Sequence, residues 1–98
     1  MSDRYGKEKF HLALIDLVAP GDIHSRVSSA LSQHLLHITV DTDLPDSVKE
    51  DYVSFKDSLH IEKAQSGHVT DVINNMNEVE AEKIAQQILV LYEKVIIV

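Results

Sequence analysis

The chain has 98 residues, 16 acidic against nine basic, a net charge of −7 and no cysteine. That length fits one domain burying roughly 60–70% of its unfolded surface, and the missing cysteine excludes disulfide frameworks, thiolate nucleophiles and cysteine-based zinc sites. An acidic surface repels phosphate backbones, whose binding depends on lysine and arginine displacing counterions, so nucleic acid is excluded as a default partner.

No apolar run approaches the ~20 residues a membrane-spanning helix needs, and the opening MSDRYGKEKF lacks the basic, apolar, small order of a secretory signal. A cytoplasmic chain with no membrane partner is the expectation. The acidic residues run from Asp3 to Glu93 without a block of like charges, as solvated helix faces do.

Breaks fall at Pro20-Gly21, Pro45 and Gly67, and the segments between them carry the helix period. Phe10, Ala13, Leu14 and Leu17 recur at three and four residues and predict a first helix over 4–18. Asp22 is placed to cap a second over 22–39, its carboxylate accepting from orphan backbone N–H groups. DTDLPD at 41–46 predicts a cap at Asp43 with Pro45 in the first turn of a third helix, 44–63. Val48, Tyr52, Phe55 and Leu59 form its inner stripe. Gly67 is expected in the closing loop. Val69, Val72, Ile73 and Met76 mark a short helix over 68–76, and Asn77 with Glu80 spells a capping box before a last helix over 78–96. The apolar residues of that last helix, from Ala81 to Ile96, cover an arc of about 160°. Such an arc suits a helix central to the fold or one touching a second chain. The fold class expected is all-α, a single compact bundle of four to five helices with short connections.

The residues most suggestive of chemistry are His34 and His37, within SQHLLHIT at 32–39. On a continuous helix they share a face, His34 near the middle of the inward arc and His37 at its edge. As metal ligands they need a third group, from His11, His24, His60 or an aspartate, and no His-Glu-x-x-His signature supplies one. As a core residue His34 needs a hydrogen-bond partner, with Tyr52, Tyr92 and Asp16 the candidates. The structural role is the preferred reading. A calcium loop beginning at Asp41 fails because its sixth position is Asp46 rather than glycine and its twelfth is Tyr52 rather than glutamate. No triad, nucleophile elbow or phosphate loop is present in the sequence, so no catalytic residue, cofactor or enzymatic activity is expected.

Leu36, Val53, Ile61 and Val90 fall off the inward stripes, and with Ile96 they are the expected interaction surface. The stretches EKFHLALIDLV at 8–18, HLLHI at 34–38, DLPDSVKEDY at 43–52 and NEVEAEKIAQQILVLYEKV at 77–95 resemble a group of small uncharacterised bacterial helical proteins. The resemblance implies a bacterial or phage origin and a helical fold, and it brings no activity, cofactor or site residue with it. The function expected is noncatalytic: protein–protein interaction or self-association as a homo-oligomer, with metal or small-ligand binding through His34 and His37 as the alternative.

Overall fold

In the computed structural model, residues 3–59 and 66–97 are described, and they form helices joined by short connections with no strand among them. The chain is all-α, as its periodicity predicts. Helix α1 (Asp3–Leu17) buries Phe10, Ala13 and Leu17 and stops before Pro20. Gly21 follows at φ +123°, a left-handed backbone that a β-carbon would strain, and lets the chain reverse. Helix α2 (Ile23–Gln33) starts from Asp22, whose carboxylate accepts from the Ser25 N–H at 2.7 Å. Arg26 reaches back across the turn, Nη1 donating to the Leu17 carbonyl at 2.7 Å and Nε to that of Gly21 at 3.0 Å. One orphan acceptor at the end of α1 and one in the turn after it are thereby satisfied.

Helix α2 is shorter than its apolar pattern suggests. It ends at Gln33 rather than 39, because His34 leaves helical geometry at φ −129°, ψ −63° and a 3₁₀ turn covers Leu35–His37. The physical reason is burial. A continued helix would point Leu36 into solvent, whereas the break turns Leu35, Leu36 and Ile38 all into the core. The β-branched run Ile38-Thr39-Val40 favours the extended backbone found at Ile38 and Thr39.

The connection expected over 41–46 contains a one-turn helix, α3 (Val40–Asp43). Asp43 does not cap the next helix; its Oδ2 accepts from the Thr39 N–H at 2.7 Å and closes α3 instead. Pro45 is the N-cap of α4 (Asp46–Ser58), and the Val48 N–H bonds its carbonyl. Val48, Tyr52, Phe55 and Leu59 are buried, as their stripe predicts. The end expected near Lys63 lies outside the described residues. Helix α5 (Ser66–Asn74) begins two residues earlier than its period indicates, so Gly67 sits in its first turn rather than in a loop. Helix α6 (Glu78–Ile97) opens on the expected capping box: the Glu80 N–H donates to Asn77 Oδ1 at 2.9 Å and the Asn77 N–H to Glu80 Oε1 at 3.1 Å.

The helices share one core. Helix α6 packs on α1, α2 and α4, and α5 packs on α2. Its buried line, Ala81, Ile84, Ile88, Leu91 and Val95, runs through the cluster that Phe10, Val27, Leu31 and Tyr52 complete. Phe10 and Tyr52 meet edge to face with ring centroids 6.2 Å apart. At the other end of α1, Gly6 lets α3 approach so closely that an added β-carbon would lie 2.0 Å from the Asp43 carbonyl oxygen.

Candidate functional site

The break at His34 separates the two histidines that a continuous helix would have aligned. His34 caps α2 and its Nε2 lies 3.0 Å from Asp16 Oδ2, on α1. A carboxylate only accepts, so Nε2 donates, and in the neutral ring Nδ1 is the unprotonated nitrogen. That Nδ1 is buried with no hydrogen-bond partner, out of reach of an incoming ion. Of the partners proposed from sequence, Asp16 is the one used. Tyr52 instead donates its hydroxyl to the Leu35 carbonyl, and burial pushes its pKa far above the usual phenol value. His37 stands exposed on the 3₁₀ turn.

Among the described residues the other histidines do not complete a metal centre. His24 Nε2 donates to the Met76 carbonyl at 2.7 Å and ties α2 to the end of α5, His11 is exposed, and His60 lies outside the described residues. Among the described residues no three histidine, aspartate or glutamate side chains converge as metal ligands.

The expected interaction surface is redistributed. Leu36 is 7% exposed and belongs to the core, which removes it from any surface patch. Val53, Val90 and Ile96 are about half exposed, at 41, 48 and 46%, but they do not form one face. Val90 lines an open groove of about 550 Å³ between α4 and α6, whereas Val53 is off the α4 stripe that lines it. Ile61 lies outside the described residues.

That groove is built by Asp51, Ser54, Phe55 and Ser58 at helical spacing on α4, facing Lys83, Gln87, Leu91 and Lys94 on α6. One end is closed by Lys94 Nζ on Asp51 Oδ2 at 2.8 Å. Ser58 Oγ donates to the Phe55 carbonyl at 2.7 Å, and no imidazole lines the groove to activate either serine. Its chemistry is that of a polar cleft over a small apolar floor.

The other flank of α6 is more distinctive, and reading the apolar residues as a single arc misses it. Beside the buried line, Ala85, Leu89, Tyr92 and Ile96 recur at alternating four- and three-residue steps, the spacing of a seam that receives another helix. Ala85 and Tyr92 lean on the core, while Leu89 is 45% exposed and Ile96 stands out beside it. Glu82 and Glu93, three and four residues from seam positions, are exposed neighbours of this stripe. Neither meets a cation among the described residues. The spacing was the signal available in sequence: two interleaved apolar lines on one helix, of which the chain's own core covers one fully and the other only at Ala85 and Tyr92.

Comparison with known proteins finds no matching family model, no similar curated protein and no similar solved structure. No described helix is long and apolar enough to cross a membrane.

Proposed function

We propose that this chain is a small noncatalytic interaction module that binds a protein partner through the outer flank of α6. The observation that carries the reading is the second apolar line of that helix, with Leu89 and Ile96 nearly half exposed in a domain whose other apolar line is fully used. Helices that keep such a line are read by partners as i, i+3, i+4 and i+7 anchors. The lack of cysteine suits a reducing compartment, and the cytoplasm is the setting proposed. Self-association as a homo-oligomer is the other form the same surface supports.

The experiment uses the full chain and the doubly substituted Leu89→Gln, Ile96→Gln protein as baits in native extract. A retained protein that the substituted bait loses, with circular dichroism unchanged, is the expected result. Identical retention by both baits, together with monomeric sedimentation of both at micromolar concentration, overturns the reading.

A further inference from the structure

We infer that the segment seated on the α6 seam is basic and amphipathic: it sets alkyl side chains on Leu89, Tyr92 and Ile96 and lysine or arginine against Glu82 and Glu93. The inference rests on the proposal that this flank binds protein and adds the chemistry of what it binds. Three candidate occupants differ in how they meet the charge. A basic segment supplies the cations that Glu82 and Glu93 lack among the described residues, and the −7 charge of the whole chain steers it inward. A second copy brings a further −7 and sets the same two glutamates along a shared edge, where like charges repel. An anionic lipid surface attracts polybasic segments and is repelled by this flank.

Acidity alone would not select the site, since glutamates are spread over the molecule. The selection comes from the apolar stripe beside them. The groove between α4 and α6 has the opposite character, with Lys83 and Lys94 on its walls and Asp51 already neutralised by Lys94. The two flanks of α6 therefore differ in charge, and only one continues as a helix-receiving seam.

The test titrates the full chain with a labelled helical peptide of about eighteen residues, leucine at alternating four- and three-residue steps and lysine between. A second peptide replaces every lysine with glutamate. The lysine peptide is expected to bind at least about tenfold more tightly than the glutamate peptide, and to weaken as salt is raised. Leu89→Gln with Ile96→Gln is expected to weaken it about tenfold, and Glu82→Gln with Glu93→Gln to reduce its salt dependence. Val53→Gln with Val79→Gln, exposed apolar positions off the seam, is expected to change binding less than about twofold. Equal binding of the two peptides, equal loss in seam and control variants, or a dimer that the seam substitutions dissociate overturns the inference. If an extract protein is lost with the seam while the lysine peptide shows no preference, the module survives and the charge assignment falls.

Discussion

Tyr52 shows how one side chain can serve packing, hydrogen bonding and pH response together. Its ring meets Phe10, and its hydroxyl donates to the Leu35 carbonyl, which also accepts from the Ile38 N–H. Because that carbonyl keeps a second partner, Tyr52→Phe is expected to cost only about 0.5–1.5 kcal/mol in urea denaturation. Burial raises the pKa of the folded phenol above the ordinary 10.0, so the folded state resists ionisation. The stability this group confers is complete below pH ~10 and falls as pH rises above it, and Tyr52→Phe should flatten that decline. Asp22 gives the opposite sign. The Ser25 N–H bond holds its carboxyl below 3.8, so its capping contribution is present above pH ~4 and fades as pH falls further. The stability gap between the native chain and Asp22→Ala, measured at pH 7 and again near pH 2.5, should therefore shrink at the acidic end. Gly6 is the third such residue. Its missing β-carbon makes room for the Asp43 carbonyl, so Gly6→Ala must push α1 and α3 apart, at an expected cost of about 1–3 kcal/mol or more in chemical denaturation.

At the level of elements, local signals were legible and tertiary ones were not. The Asn77–Glu80 box and the Asp22 cap are short-range and stand where the sequence places them. Replacing Asn77 by alanine should cost about 0.5–2 kcal/mol, and a double-mutant cycle with Glu80→Ala should show coupling, since the two side chains satisfy each other's backbone donors. The end of α2 was illegible because its period continues through His34, Leu35 and Ile38, while the gain from burying Leu36 depends on where α1 packs against the turn that carries it. Helix α3 was hidden for a similar reason: DTDLPD contains the residues of a cap, and nothing local says whether Asp43 closes the turn before it or the helix after it. Of the candidate site, the His34–Asp16 pairing was among the partners the sequence offered, whereas the presentation of His37 was lost with the helix break. Val90 and Ile96 are exposed as expected, yet they face different flanks of α6, and Leu89 joins the seam in place of Leu36.

For the whole molecule, the Cα radius of gyration is 12.4 Å, near the ~13 Å of a folded domain of about this length, so the core needs no second chain to be compact. Sedimentation at micromolar concentration is therefore expected to give a monomer until a basic partner is added. The order of assembly follows from Arg26, whose guanidinium stitches the carbonyls of Leu17 and Gly21 across the turn between α1 and α2. These two helices pack extensively on each other and are neighbours in the chain, so joining them closes only a small loop, whereas α6 must return from the far end of the polypeptide. A staple on a short, local turn is expected to act before the last helix arrives. Arg26→Met should then slow refolding in stopped-flow experiments more than it hastens unfolding, marking the first hairpin as the template on which the binding helix is later laid down.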